Sequence, residues 1–321
     1  MLKRRAVLAA PLLGLAAPAL AQAWPDRTIR FLVPFAPGGN TDLVGRLSAQ
    51  WMTQALGVSV VVENRGGAGG IVGSDAVAKA APDGSMFLVG SIGSISVAPA
   101  LERLPYDPLV DLAPVSLLST NALVLLARRA LPFASTQDVV AAAKADPEKL
   151  TYGSSGIGGL MHVSMLVLEV LAEAKFTHVP FRSGSQAAQS LTSGDIDLMF
   201  ANMSDALPLV QGGVARAFAV STAQRSAQMP DVPTMQELGY AGFNVVSWNA
   251  LFAPGATPRP VVEKLSETAR RMVADPEVQR RMAGFGSVAA ANTPAEFAAQ
   301  IRAETAMWGD ILKRAGLARP A

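Results

Sequence analysis

Apolar and polar positions along the chain switch repeatedly between a strand-like and a helix-like period, and the switches fall at turns rich in glycine and proline. Residues 29–35 (Ile-Arg-Phe-Leu-Val-Pro-Phe) are β-compatible and run into Pro37-Gly38-Gly39. A helical stretch follows from Thr41 to about Leu56. Asn40 or Thr41 can cap it, and Asp42 falls in its first turn, where negative charge suits the helix dipole. Valine-rich residues 59–63 predict a second strand, residues 64–70 a loop, and residues 86–90 a third strand after a second helix. The rhythm then restarts. Residues 113–127 form a long apolar β-compatible run, and residues 135–145 a helix with Ser135 as its cap. Residues 150–152 form a strand that leads into Gly153-Ser154-Ser155-Gly156-Ile157-Gly158-Gly159 and a further helix. Strands follow at 177–181, 197–201 and 214–221, with a helix at 186–193. The chain closes with helices at 258–273, 277–283 and 294–315. Strands alternating with helices predict an α/β protein with a mixed, mostly parallel sheet flanked by helices. No low-complexity linker separates the two βαβ units, so the pattern predicts two lobes joined by continuous strands. The runs 113–127 and 214–221 are the candidate crossing segments, and a single large sheet is the other arrangement.

Composition narrows the chemistry. The chain has 321 residues, half of them apolar and only 16% charged, which suits a two-domain globular protein and excludes general disorder. It has no cysteine and two histidines, His162 and His178, which removes disulfides, thiolate chemistry and a three-histidine metal site. No metal and no cofactor are expected. Residues 1–23 look like a secretory signal peptide. Lys3, Arg4 and Arg5 form the basic start, residues 6–15 the short apolar core, and Ala21-Gln22-Ala23 offers small residues for cleavage. The Arg4-Arg5 pair also fits a twin-arginine export signal. Loss of that segment removes three basic residues and no acid, so the formal charge falls from +2 to −1. The remaining chain has no electrostatic case for nucleic acid. Export predicts a periplasmic location.

Two loops are the strongest binding candidates. Phe35-Ala36-Pro37-Gly38-Gly39-Asn40-Thr41-Asp42 lies between a strand end and a helix start, where unpaired N–H groups accept a carboxylate or phosphate. Residues 152–159 repeat that placement in the second half and add the hydroxyls of Ser154 and Ser155. His162 falls within the first turn or so of the next helix, where it either faces a ligand or packs. The loop Arg65-Gly66-Gly67-Ala68-Gly69-Gly70 matches no nucleotide-binding pattern and reads as a structural turn. Enzyme signatures fail. Gly153-Ser154-Ser155-Gly156-Ile157 is not Gly-x-Ser-x-Gly, and a triad of Ser155, His162 and Asp197 has no support from spacing. Asp195 and Asp197 alternate on one strand face but read better as a turn cap and a solvated acid. Trp248, Met161 and Met165 read as core.

The ordered set of motifs carries a resemblance. It runs from Trp24-Pro25, Pro37-Gly38-Gly39 with Asp42 and Arg46, and Val62-Glu63-Asn64-Arg65 through Pro82-Asp83-Gly84 and Tyr106-Asp107-Pro108. It continues in Tyr152-Gly153-Ser154-Ser155-Gly156 with His162, Gly194-Asp195-Ile196-Asp197 and Pro230-Asp231-Val232-Pro233-Thr234, and it ends with Trp248, Ala253-Pro254 and Thr257-Pro258. Across nearly the whole exported chain this resembles the extracytoplasmic solute receptors of tripartite tricarboxylate transporters, the Bug-type periplasmic binding proteins. The resemblance implies a two-lobed Venus flytrap of type II-like fold. Lobe 1 would comprise residues 24–122 and 223–321, and lobe 2 residues 123–222, with the ligand cleft between them. It implies a small carboxylate held by Phe35, Ala36, Gly38, Gly39, Thr41 and Asp42 from one side. Ser154, Ser155, Gly156 and Gly158 would hold it from the other, with His162 behind them and Ala201 and Asn202 from a third strand end. The implied partners are that ligand and the membrane subunits of a transporter, and the receptor would act as a monomer. The chain departs from the family pattern at Gly45, Ala250 and Phe181. Arg182 is expected to add positive charge near the cleft. A ligand-sensing scaffold for a signalling partner and a serine-dependent hydrolase are the rival readings.

Overall fold

The computed structural model describes residues 24–314 together with 317 and 318. The expected signal peptide lies outside the described residues. In the first half, β1 (Ile29–Val33), α1 (Asn40–Leu56), β2 (Val60–Asn64), α2 (Ile71–Ala78) and β3 (Met86–Ser91) form the βαβαβ unit that the pattern predicts, with β1 parallel to both β2 and β3. A five-residue π-helical turn over residues 93–97 and the short α3 (Ala98–Leu101) lead to β4 (Leu112–Arg128). The second half adds α4 (Thr136–Ala145), β5 (Thr151–Ser154), α5 (Leu160–Ala172), β6 (Thr177–Pro180), α6 (Gly184–Ser193), β7 (Leu198–Asn202), α7 (Met203–Gln211) and β8 (Ala215–Val220). The chain then returns through β9 (Val246–Pro254), α8 (Arg259–Val273), α9 (Pro276–Gly284), β10 (Val288–Ala289) and α10 (Pro294–Arg314).

The fold is two-lobed, and β4 joins the lobes. It has 17 residues, so it spans about 55 Å at the usual strand rise. Its residues 112–122 pair with β9, and residues 123–128 pair with β7 and β8. The strand order β2-β1-β3-β9-β4-β7-β5-β6 is therefore one continuous path that changes partners midway along a single strand. Parallel pairing holds in the outer parts, while β4 and β9 run antiparallel to their neighbours because a chain that crosses must also come back. The return differs from the expected one. Among the described strands, β8 pairs with the second-half end of β4. The chain comes back where Ser221 bonds to Leu123 and to Val245, just before β9 begins.

The alternation of β1 explains the layering. Ile29, Phe31 and Val33 pack on one face with Val44, Leu47 and Met52 of α1 and with Leu265 and Met272 of α8. Leu32 points to the opposite face, as the two-residue period of a strand requires. In the second half Val124 and Leu126 pack with Met199, Ala187 and Leu191, while Leu123 and Leu125 join the cluster on the other face. That cluster runs through both halves, from Leu88 and Trp248 to Tyr152 and Phe200. Trp248 is core, as expected, and packs against Phe297 at 5.3 Å.

Candidate functional site

Four helix starts converge on one cavity. It is lined by Gly39, Asn40 and Thr41 at the start of α1, Gly159, Leu160 and Met161 at α5, Ser183 and Gly184 at α6, and Asn202 and Asp205 at α7. Phe35, Gly69, Ser91, Ile92, Gly93, Leu123, Ser155 and Ser247 complete the wall. Each helix start carries partial positive charge; α1, α5 and α7 have no side-chain cap bond, while at α6 Ser183 Oγ accepts from Gln186 N. None of the described lining residues is Lys, Arg or His, and the one acid is Asp205. The volume of about 50 Å³ holds on the order of four water-sized groups. The cavity therefore suits a compact anion held by neutral donors.

The first loop is held in shape by Asp42. Its carboxylate accepts from Gly38 N (2.9 Å), Arg46 Nε (2.9 Å) and Asn64 Nδ2 (2.8 Å). Burial works to raise its pKa, but the bonds from Arg46, Gly38 and Asn64 outweigh burial and hold the group below the usual carboxylate range. Asp42 thus orients the loop from behind and takes no place in the cavity wall. Asn40 is fixed from the other side, donating to Ser287 Oγ (2.8 Å) and accepting from Asn249 Nδ2 (2.6 Å). Gly39 caps α1 without a side-chain hydrogen bond, which leaves the first N–H groups of the helix open to a ligand.

The second loop is held by a stack of three rings. The parallel register of β5 and β6 sets Tyr152 beside His178, and α5 lays His162 on top. The ring centroids are 4.8 Å apart for Tyr152–His178 and 4.1 Å for His178–His162. Burial lowers both histidines to about 4, with the neighbouring His178 contributing at His162, so both rings are neutral at pH 7. His162 Nδ1 accepts from Gly158 N at 3.1 Å. Ser154 Oγ donates to Gly156 O and accepts from Gly156 N. The same oxygen forms a hydrogen bond with His178 Nε2 at 2.7 Å. All of these groups shape the turn. His162 packs and does not face the cavity.

The two halves touch through bare backbone. A methyl group added at Gly69 would stand 2.9 Å from the Ile157 carbonyl oxygen, and one at Gly156 would stand 3.3 Å from Gly69 N. Gly69 has φ +62 and Gly156 φ +124, in the region that favours glycine. The loop read as a structural turn thus also forms part of the cavity wall and of the contact between the halves.

Of the expected residues, the cavity brings together Phe35, Gly39, Thr41, Ser155 and Asn202. Gly38, Asp42, Ser154, Gly158 and His162 support it from behind. Ala36 lies in the first loop outside the lining, and Gly156 forms the contact with Gly69. Ala201 is buried in the second-half core because the strand alternation turns it away from its lining neighbour Asn202. Arg182 is exposed and outside the lining, because only Ser183 and Gly184 of its turn reach the cavity. Asp197 is engaged by Arg128 (2.7 Å) and Thr151, while Asp195 sits at the surface on Ser193, so the two acids do separate structural work. Met161, read as core, is buried but also lines the cavity. Residues 91–93 and 183–184 and Asp205 were not among the expected site residues.

With this geometry in view, the family model described as tripartite tricarboxylate transporter family receptor matches residues 44–317. The chain belongs to this family. Among relatives of the receptor, the protein BugT of Bordetella pertussis is 32% identical over 305 residues, covering 94% of each chain. MatC from Rhodopseudomonas palustris, solved with bound malate, is 34% identical with a TM-score of 0.86, over 90% of this receptor and all of that chain. An R. palustris protein solved with adipate is 30% identical with a TM-score of 0.88, over 93% of this receptor and all of that chain.

Proposed function

We propose that this chain is a periplasmic receptor that closes around a small carboxylated metabolite and delivers it to the membrane subunits of a tripartite tricarboxylate-type transporter. The observation that carries this reading is the convergence of four helix starts, from both halves, on one small cavity without a basic side chain. Helix-start N–H groups replace the water shell of a carboxylate without placing a cation in the wall, so release stays easy. The malate and adipate held by the relatives support carboxylate as the class. The proposed lobes are residues 24–122 with 223–321, and residues 123–222. Bending would occur where β4 changes partners near Ala122 and where Ser221 meets Val245. The proposed contact residues are Phe35, Gly39, Thr41, Ser155 and Asn202; Asn121 donates to Asn202 Oδ1 at 3.3 Å, leaving the amide N–H groups of Asn202 for the ligand.

A thermal-shift screen tests the reading. The mature protein is unfolded and refolded to strip carried-over ligand, then offered carboxylic acids of graded length. A ligand at 100 times its Kd adds about 2.7 kcal/mol. The expected result is a rise in Tm for a narrow group of acids, recovered unchanged. Flat curves for all of them would refute carboxylate as the class.

A further inference from the structure

Asp205 stands apart from every other group in the wall. Its Oδ2 is buried and meets no hydrogen-bond donor among the described residues. It lies in the first turn of α7 but serves no cap there. A methyl group at Gly184 would stand 3.0 Å from that oxygen, so the carboxyl is wedged against Gly184 at the start of α6. A buried acceptor without a donor is costly, and burial pushes the group up to about 6. No cation in the lining compensates it. The other polar groups of the wall can all donate or are already satisfied: helix-start N–H groups, hydroxyls such as those of Thr41 and Ser155, the Asn202 amide, and Asn40 with both of its partners. The cavity therefore has a donor-rich region and, at α7, one unanswered acceptor.

We propose that Asp205 sets the ligand class: a carboxylate whose other polar end offers a hydrogen-bond donor to Asp205, as an amine, amide or hydroxyl does, in preference to a second carboxylate. The proposal rests on the carboxylate-receptor reading. A donor at that end satisfies the buried oxygen, and a charge-assisted bond of this kind is among the stronger ones. A second carboxylate there would face a like charge in a site shielded from water.

Titration calorimetry of the refolded full receptor at pH 7.5 tests this with acids matched in length. The dicarboxylates are succinate, glutarate and adipate. Each is compared with its monoamide and with the ω-amino and ω-hydroxy acids of the same span. The expected result is at least tenfold tighter binding of a donor-ended acid than of the dicarboxylate at the best length. Asp205→Asn is expected to bring the two within about threefold. Equal or tighter binding of the dicarboxylate by the unmodified receptor overturns the proposal and leaves the receptor reading intact; this arm needs no variant to fold. A preference that survives Asp205→Asn assigns selection to other residues and also overturns it. Absence of binding by any of these acids overturns the carboxylate reading itself and the proposal with it.

Discussion

The two loops at the cavity mouth, β1–α1 and β5–α5, solve one problem with different chemistry. Each runs from a strand end through glycines into a helix whose N-cap, Gly39 or Gly159, contributes no side-chain bond. A serine or aspartate cap would occupy the N–H groups that an anion needs, so the turn must be held from behind. In the first half an ionised acid does this: Asp42 gathers Gly38, Asn64 and Arg46, whose side chain remains half exposed. In the second half neutral rings do it, with Tyr152, His178 and His162 stacked and Ser154 pinned beneath them. Neither support places a basic group in the cavity wall. The lesson is that an anion site built from backbone needs rigidity behind the loop more than charge within it.

Removing the first support is the most damaging break. Asp42→Ala frees three donors at once, and bonds to a charged group are worth about 1.5–3 kcal/mol. Urea unfolding is expected to show a loss of about 3 kcal/mol, and ligand affinity is expected to fall with it. An unchanged midpoint would show that the loop holds its shape without Asp42. The second support breaks with acid. Both histidines sit near 4 when folded and start from 6.5, so between those values the unfolded chain binds more protons. Stability is therefore full above about pH 6.5 and falls towards pH 4. Asp42 has a depressed pKa, so its share is present above its ordinary 3.8 and is lost only below that, as pH drops through the folded value. The supports thus fail in separate windows. Tm measured from pH 7.5 to 4 is expected to decline, and the double variant H162Q/H178Q is expected to flatten the decline. An unaltered slope would place the titrating groups elsewhere.

Next in size is the contact between the halves. Gly69→Val adds a branched side chain where even a methyl meets a carbonyl oxygen at 2.9 Å. Its left-handed backbone costs a non-glycine residue about 1–2 kcal/mol. Affinity is expected to fall by at least tenfold, with a modest loss of stability. Small-angle scattering is expected to show a larger radius with ligand for the variant than for the parent. Identical radii would mean that closure does not pass through this contact.

These differences also explain what could be read from the sequence. The β1–α1 and β5–α5 turns were legible because glycine, hydroxyls and an N-terminal acid gather at a change of period. β9 was not, because eight of its nine residues are buried and the alternating signal disappears when both faces are covered. α7 was hidden by Pro208, which sits inside a nine-residue helix. With α7 went Asp205, whose isolation exists only once α6 and α7 pack side by side. Gly69 looked like any turn glycine, since its partners Ile157 and Gly156 lie far along the chain. The histidine stack depends on the β5–β6 register, which no local pattern encodes.

The smallest expected effect closes the comparison from the electrostatic side. A positive residue beside the second loop looked suited to an acidic ligand, but Arg182 is exposed and its turn reaches the cavity only through Ser183 and Gly184. Its own backbone N–H is taken by Gln186 Oε1 at 3.1 Å, a bond that any residue there would keep. Solvent and salt screen a charge so placed. Arg182→Ala is therefore expected to alter affinity by no more than about twofold and stability by no more than about 0.5 kcal/mol. Its effect on the association rate should be confined to low ionic strength. A tenfold loss of carboxylate affinity at 150 mM salt, where the Debye length is about 8 Å, would show that a side chain outside the wall reaches the ligand. The ligand would then draw on a cation outside the wall as well as on the neutral donors within it.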